Sequence, residues 1–345
     1  MSRVTPSSAK ALQAILPLVE SGQAYEAHQK ARTFASRYQK AGQFDTAIDV
    51  LFQSARELLK SGQQGSGTDL ALFLLDVYES KPETVSDESR GRTTQLISLV
   101  GPGQSWRRSI ITAAIAWSAK HSPHPAGDPI LHYYVGSLLY KEGDLEAAEQ
   151  HLLNSGTRDS GRLLAQVFYD WARATDSIST HAGEFALRGT IPYLLDGNIL
   201  AARTFLSAFL SHLPLADPPF RSSEPNPIPI GGDDAITFTG VPVLNFIQLL
   251  IRVIQRADGE RNKPMREAWV RLCGTYQSRG RVLATGEVRA ALNELASAYF
   301  EFPPPRTQNA NPLAEMMAGM FGGPASGTGA PQRRVITPSG GLRLD

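Results

Sequence analysis

The residues best suited to chemistry lie in one histidine-rich stretch. His121, His124, Asp128 and His132 are residue types that bind zinc or act as acid and base in hydrolysis. Three prolines interrupt the stretch, and no further ligand follows at the helical spacing of zinc enzymes. We therefore interpret it as a solvated or hydrogen-bonded loop. A hydrolase that uses residues 121–132 remains an alternative.

Two other features resemble reaction centres only superficially. Cys273 lies at core spacing in an apolar helical segment, which is typical of a small buried hydrophobe. The glycine-rich segment Ser61–Asp69 could cradle an anion, but no lysine follows Gly67 and no strand precedes it. We interpret this segment as an interhelical turn in which Ser66 or Thr68 caps the next helix. The sequence thus predicts a protein without enzymatic activity, cofactor or metal.

Composition narrows the class of protein further. The 345 residues include 34 Lys and Arg against 33 Asp and Glu, and a formal charge of +1 does not indicate a nucleic-acid binder. A single cysteine excludes an intrachain disulfide. The first ten residues lack the apolar region of a secretory signal, and no apolar run reaches the ~20 residues that span a bilayer. We expect a soluble protein of the cytosol that does not insert into membranes.

The sequence predicts that helices position these residues. Apolar residues recur with helical periodicity at positions 44, 47, 48, 51, 52, 55, 58 and 59. The pattern Gly-x-x-x-x-Ala begins at Gly22, Gly42, Gly143 and Gly197, where glycine can end one helix and alanine allows close approach of the next. The intervals of 20, 101 and 54 residues are irregular. We predict an all-α fold, an irregular α-solenoid of tetratricopeptide-like stacked helix pairs.

Proline placement suggests the domain organisation. Residues 213–234 hold six prolines and residues 303–345 hold seven, which predicts a loop and a disordered tail with a short helix near 312–321. Residues 235–243 alternate β-formers around a glycine and predict a short β-hairpin. The predicted regions are a flexible N-terminus (1–10), an N-terminal helical half (11–150), a C-terminal helical half (151–302) and the tail (303–345).

A small basic face is the remaining electrostatic feature. On the helix predicted from Tyr25 to Lys40, the side chains of Lys30, Arg37 and Lys40 project within roughly 80° of one another, away from the apolar stripe. Three charges hold a nucleic acid too weakly at physiological salt, but they can steer an acidic protein partner. A solvated face without a partner is the alternative.

Several segments resemble the Golgi-to-ER traffic protein four family. In the family order, they are Gly22–His28, Arg32–Thr33, Arg37–Tyr38, Gly65–Leu70, Gly127–His132, Gly143–Asp144, Leu244–Leu250 and Met316–Gly319. The resemblance extends from about residue 11 to 323. Each motif is short, and their combination carries the resemblance.

The resemblance implies an α-solenoid that serves as a non-enzymatic adaptor in the delivery of tail-anchored membrane proteins. Its N-terminal half would bind the cytosolic targeting ATPase, favour the nucleotide-loaded closed state and restrain hydrolysis. Its C-terminal half would bind a ubiquitin-like-domain partner, which recruits the co-chaperone that carries the client. A generic helical-repeat scaffold of another cytosolic complex is the alternative.

The same resemblance implies two sets of contact residues. The ATPase-docking set is Tyr25, His28, Arg37, Lys40 and Asp69. The set for the ubiquitin-like partner is Ile236, Phe238, Val241 and Phe246, of which Phe246 fits ordinary core packing equally well. Two positions depart from the family pattern: Ala24 replaces the first of two aromatic residues, and Lys40 replaces a common arginine, which alone could form a bidentate fork with a carboxylate.

Overall fold

A computed structural model describes residues 6–81, 84–103, 105–174, 178–223, 227–231, 234–278 and 282–303. It contains two compact units, Met1–Ser155 and Gly156–Asp345, close to the expected division after residue 150. The fold is all-α and solenoid-like, as predicted, with one two-stranded sheet among the described residues. No helix in the described ranges is both long enough and apolar enough to cross a bilayer.

The described part of the first unit forms eight helices. They are α1 (Pro6–Glu20), α2 (Ala24–Lys40), α3 (Phe44–Lys60), α4 (Gln64–Ser80), α5 (Asp87–Leu99), α6 (Ser105–His121), α7 (Pro129–Lys141) and α8 (Leu145–Ser155). Helix α1 begins inside the ten residues expected to be flexible, so that expectation is wrong from Pro6 onward. The side chains of Ala11 and Ile15 are fully buried, and this burial holds α1 against the rest of the unit.

The second unit combines helices with the sheet. Its described elements are α9 (Arg158–Arg173), α10 (Ile178–Leu195), α11 (Ile199–His212), β1 (Ile228–Gly231), β2 (Asp234–Ile236), α12 (Pro242–Gln255), α13 (Lys263–Gln277) and α14 (Gly286–Phe300). The predicted helix near 312–321 and the tail beyond Pro303 lie outside the described residues.

A repeat of 20 residues forms the first three turns. Gly22, Gly42 and Gly62 each adopt a left-handed conformation, and each is followed by a glutamine. The backbone N–H of that glutamine donates to the backbone carbonyl five residues earlier, the arrangement that ends a helix at a glycine. The sequence pattern had omitted Gly62 because Gly67, rather than alanine, stands five residues later.

The interhelical turn predicted for the glycine-rich segment is present but short: it occupies residues 61–63, and the remainder of the segment is helical. Helix α4 begins at Gln64 with Gln63 as N-cap, so the prediction that Ser66 or Thr68 caps it is wrong. A Cβ atom at Gly67 would lie 2.6 Å from the Leu59 side chain. The glycines thus permit close packing of α3 against α4.

Alternate helices of the first unit form two layers. Helices α2, α4 and α6 pack side by side in one layer, and α1, α3, α5 and α7 follow one another in the other. Because a 17-residue helix plus a three-residue turn spans 20 residues, α2 and α4 begin 40 residues apart. Side chains that meet between neighbours of this layer are 41 residues apart. Gln39 accordingly donates to Ser80 at 3.3 Å, and Lys120 to Glu79 at 2.6 Å.

An aromatic cluster forms the core where α9, α10 and α11 pack together. The Phe168 ring lies 5.3 Å from that of Phe185 and 5.8 Å from that of Phe205, between centroids. A Cβ atom at Gly189 would lie 2.1 Å from the Phe205 ring, so glycine leaves space for this ring against α10. This core stabilises α11. Helix α11 packs against α12, which in turn contacts the sheet.

The β-hairpin lies earlier in the chain than predicted. β1 pairs antiparallel with β2, with Ile228 opposite Ile236, so the hairpin spans 228–236 and its first strand lies in the proline-rich segment. The prediction of a hairpin at 235–243 is wrong because residues 237–239 bond to side chains of α12 instead of a strand. Gln248 accepts from the Thr237 amide at 3.0 Å and donates to its carbonyl at 2.8 Å.

Candidate protein-docking surfaces

The first candidate surface is the contact between α2 and α4. His28 Nε2 lies 2.7 Å from Asp69 Oδ2, and Arg32 donates to the same oxygen. The Arg32 guanidinium also lies over the Phe73 ring, 5.3 Å from its centroid. We call these four residues the α2–α4 seam. The structure thus brings together two of the five residues predicted for ATPase docking.

Arg32 was not assigned to the docking set by the sequence analysis. The 41-residue offset between α2 and α4 would have identified it, because it pairs residue 28 with 69 and residue 32 with 73. Side chains one helical turn apart then face the same neighbour. This offset can be read from the sequence only when the turn at Gly62 is recognised, because that turn fixes where α4 begins relative to α2.

The seam holds an ionised carboxylate. Burial raises the pKa of Asp69, but hydrogen bonds from His28 and Arg32 outweigh burial and leave the pKa lowered. For neighbouring Asp76, burial raises the pKa, and the attraction of Arg32 does not cancel it. Asp69 is thus a charged partner for Arg32 at neutral pH, and it fixes the direction of this guanidinium.

The other three predicted residues lie away from the seam. Tyr25 is 74% exposed in the first turn of α2, while Arg37 and Lys40 are exposed in its last turn. A rise of ~1.5 Å per residue separates Tyr25 from Arg37 by about 18 Å along the helix axis. The predicted set therefore follows the length of α2, with an aromatic end, a seam in the middle and a basic end.

The second candidate surface is a cleft of about 330 Å³ bordered by α11, β2 and α12. We call it the hairpin cleft. It is lined by apolar side chains together with two arginines and three small or polar residues, namely Leu206, Leu210, Ile236, Ile251, Arg203, Arg252, Ser207, Ala235 and Gln248. A mixed lining of apolar, polar and cationic groups suits a peptide segment that carries both apolar and acidic side chains.

The predicted partner-docking residues occupy different depths near this cleft. Ile236 lines it and is 3% exposed, whereas Phe238 and Val241 are half-buried in the segment that follows β2. Phe246 is fully buried, with its ring centroid 5.6 Å from that of Tyr276. The burial of Phe246 therefore favours its interpretation as an ordinary core residue that packs beneath the surface.

Two amide side chains that the sequence analysis did not assign hold this segment in place. Asn245 accepts from the Thr239 amide at 2.7 Å and donates to the Thr239 carbonyl at 2.8 Å, while Gln248 does the same for Thr237. Each amide thus substitutes for one residue of a neighbouring strand. The available signal was two amide side chains three residues apart in the otherwise apolar residues 242–251 of α12.

A close backbone approach fixes the end of the same segment. The Gly240 amide donates to the Phe220 carbonyl at 2.8 Å. A Cβ atom at position 240 would lie 2.1 Å from the Pro219 carbonyl oxygen, so only glycine fits here without a backbone shift. The segment from residue 237 to 240 is therefore held at both ends before α12 begins.

The side chains of the histidine-rich stretch make contacts that stabilise the fold. Asp128 caps α7 by accepting from the Leu131 amide at 2.8 Å, and Arg90 holds both its carboxylate oxygens at 2.9 and 3.0 Å. His121 lies 3.4 Å from Glu79, whereas His132 is buried and contacts His151 at 3.0 Å. Within the described residues, no group of three or more His, Cys, Asp or Glu side chains could hold a metal ion.

Cys273 is half-buried on α13. Burial raises the pKa of its thiol to about 12, so the reactive thiolate is scarce at neutral pH. This agrees with its interpretation as a small apolar residue.

The fold defines the class of all-α, solenoid-like helical-repeat proteins. A family model described as Golgi to ER traffic protein 4 matches residues 41–321, and the chain belongs to this family. Golgi to ER traffic protein 4 of Aspergillus fumigatus is 33% identical, with 95% of this chain and 96% of the relative covered. The protein of that name from Schizosaccharomyces pombe is 30% identical, with 88% and 93% covered.

A solved structure agrees with this assignment. The crystal structure of C. therm. Get4 superposes with a TM-score of 0.77 at 33% identity, covering 96% of this chain and 99% of that chain. The agreement over nearly both whole chains confirms the fold as well as the family.

Proposed function

We propose that this chain is a non-enzymatic cytosolic adaptor for the targeting of tail-anchored membrane proteins to the endoplasmic reticulum. In this proposal the first unit binds the targeting ATPase in its nucleotide-bound state. The second unit binds a ubiquitin-like-domain partner, which brings the co-chaperone and its client. Family membership over residues 41–321 is the observation that carries the proposal.

The α2 helix has the features of the ATPase-docking surface. Tyr25 supplies an exposed aromatic anchor, the α2–α4 seam fixes Arg32 by its bond to Asp69, and Arg37 and Lys40 add positive charge. Aromatic residues and arginines carry much of the binding energy at protein interfaces, while outer charges tune association rate and specificity. An acidic patch on the nucleotide-bound ATPase would complement this helix.

Reversing the two charges at the end of α2 tests this surface. We expect Arg37→Glu with Lys40→Glu to weaken ATPase binding on the order of tenfold to a hundredfold at low salt, because attraction becomes repulsion. The loss should shrink at high salt, where exposed charges are screened. Titration of the nucleotide-loaded ATPase by interferometry at two ionic strengths measures both effects.

A matched control keeps the same change in net charge. Lys10→Glu with Lys141→Glu alters exposed lysines on α1 and α7, which belong to the other layer of the unit. This control should bind the ATPase as the unmodified chain does. Equal binding by all three proteins would refute the proposed surface. Absence of ATPase binding by the unmodified chain would instead favour a generic scaffold of another cytosolic complex.

The hairpin cleft has the features of the second docking surface. Its lining combines apolar side chains with Arg203 and Arg252. The segment that carries Phe238, held by two amide side chains of α12, directly follows Ile236 of this lining. A segment already held in one conformation loses little conformational entropy when a partner binds. An apolar and acidic segment of the ubiquitin-like partner therefore fits this site.

A charge at position 238 tests the second surface. We expect Phe238→Asp to weaken the complex with the ubiquitin-like partner by at least about thirtyfold, because a carboxylate in an apolar contact loses its hydration. Phe238→Leu keeps the apolar character and should retain most of the affinity. Gel filtration with matched circular dichroism spectra separates loss of binding from loss of folding; a stable complex with the aspartate variant would count against the site.

A further inference from the structure

A second apolar cleft lies on α13, remote in sequence from the proposed docking residues. It has a volume of about 350 Å³ and is lined by Arg266, Glu267, Val270, Arg271 and Phe302. Val270 is 57% exposed, although it is a large apolar residue in the middle of a helix. We call this site the α13 cleft. An exposed apolar cleft of this kind indicates a covering segment.

The described chain ends at this cleft. Phe302 forms part of its lining, and the Arg266 guanidinium lies over the Phe302 ring, 4.5 Å from its centroid. The adjacent Phe300 ring packs against Trp269 of α13, with centroids 4.9 Å apart. Pro303, the last described residue, therefore directly follows a residue that lines the cleft.

The sequence beyond this point contains one strongly amphipathic segment. Apolar residues occupy offsets 0, 3, 4, 7 and 8, the stripe of a helix face, at Leu313, Met316, Met317, Met320 and Phe321. Methionine adapts to irregular apolar surfaces because its side chain is unbranched and polarizable. The family match ends at residue 321, so it includes this whole stripe.

We propose that residues 313–321 fold back as a helix and dock in cis on the α13 cleft. The ten residues from 303 to 313 can span up to about 33 Å, whereas α13 is only about 22 Å long, so the segment can reach any point along it. Glu315 is on the face of such a helix opposite the apolar stripe, so it would stay in solvent when the stripe is docked. Tethering also gives the segment a high effective concentration at the cleft.

Hydrogen exchange of the full chain tests this docking. Amides of residues 313–321 should exchange at least about tenfold more slowly than an unstructured peptide of the same sequence, because a docked helix protects them. Val270→Asp should return these amides to the unstructured rate, while Val270→Leu should keep the protection. Because Val270 is exposed, neither substitution should disturb the fold. Circular dichroism checks this point.

Three outcomes would overturn the proposal. One is exchange at the unstructured rate in the unmodified chain, and another is unchanged protection in Val270→Asp. The third is protection that disappears on dilution of the protein, since that would identify a second copy of the chain as the binding site. Protection that is independent of concentration and lost in Val270→Asp would establish docking in cis.

Discussion

Asp49→Ala should lower the free energy of unfolding of the first unit by about 3 kcal/mol. Asp49 is buried on α3 and lies 2.8 Å from Arg92 of α5, whose side chain is 13% exposed. Removing the carboxylate leaves a guanidinium in a poorly hydrated site. Breaking a buried pair in this way typically costs about 3–5 kcal/mol, and the lower end applies because Glu88 also contacts Arg92 at 2.9 Å.

The consequence for function follows from the position of α3. Helix α3 packs against both α2 and α4, which form the proposed ATPase-docking surface. Loss of the Asp49–Arg92 pair loosens α5 from α3, where the guanidinium also lies 5.8 Å from the centroid of the Phe52 ring. We therefore expect weaker ATPase binding at temperatures where the variant partly unfolds, and near-normal binding below them.

Asp45→Ala is the matched control on the same helix. Asp45 lies one helical turn before Asp49, is 76% exposed and contacts Lys81 at 2.8 Å. An exposed ion pair contributes about 0–1 kcal/mol, so this variant should unfold almost as the unmodified chain does. Urea denaturation compares the proteins; equal midpoints for the two variants would contradict the assigned role of Asp49.

Mild acid should destabilise the first unit through a pair of histidines. His132 Nε2 donates to the Ala126 carbonyl at 2.9 Å, which leaves its Nδ1 as acceptor for the Nδ1–H of His151 at 3.0 Å. This arrangement requires a neutral His132 ring, because its Nδ1 must accept. Burial, together with the neighbouring His132, lowers the pKa of His151 from 6.5 to about 4.

The sign of the pH effect follows from this lowered pKa. The unfolded chain binds a proton at His151 near pH 6.5, whereas the folded chain resists it down to about pH 4. The stabilisation is therefore complete above pH 6.5 and is lost as the pH falls toward 4. At pH 5 the expected loss is about 2 kcal/mol. The pKa values of Asp69 and Asp128 are lowered, so these carboxylates stay ionised at pH 5.

His151→Asn provides the control for this prediction. The asparagine amide can donate to His132 but does not titrate, so the fall in stability between pH 7.5 and pH 5 should be smaller by about 2 kcal/mol. Urea midpoints at the two pH values measure the difference. If the variant and the unmodified chain lose the same stability on acidification, His151 does not cause the effect.

Local signals allowed most of the fold to be predicted. Helical periodicity in α3 and the left-handed glycines at positions 22 and 42 depend on neighbouring residues, and both were recognised. The turn at Gly62 falls in the predicted interhelical segment, but the predicted start of α4 is too late because the first turn of this helix contains glycines, which favour turns by intrinsic propensity. Tight packing of Gly67 against Leu59 outweighs that propensity, and packing is not visible in a local pattern.

The site residues also divide into those that a local pattern predicts and those that depend on packing between elements. The exposure of Arg37 and Lys40 followed from the angular position of each residue on α2. The bond from Arg32 to Asp69 joins residues 37 positions apart, and it depends on the register between two helices. The amide bonds of Asn245 and Gln248 likewise depend on how residues 237–239 lie across α12.

The sequence by itself determined the helical character, the helix ends at four glycines and the family, because these depend on residues close together in the chain or on their order. The tertiary structure alone decided which side chains meet between helices, where the hairpin begins and which apolar residues remain exposed. The physical reason is that a polar backbone group can be satisfied by a strand or by a side-chain amide, and only packing selects between them. At residues 237–239, packing selected the amides of α12.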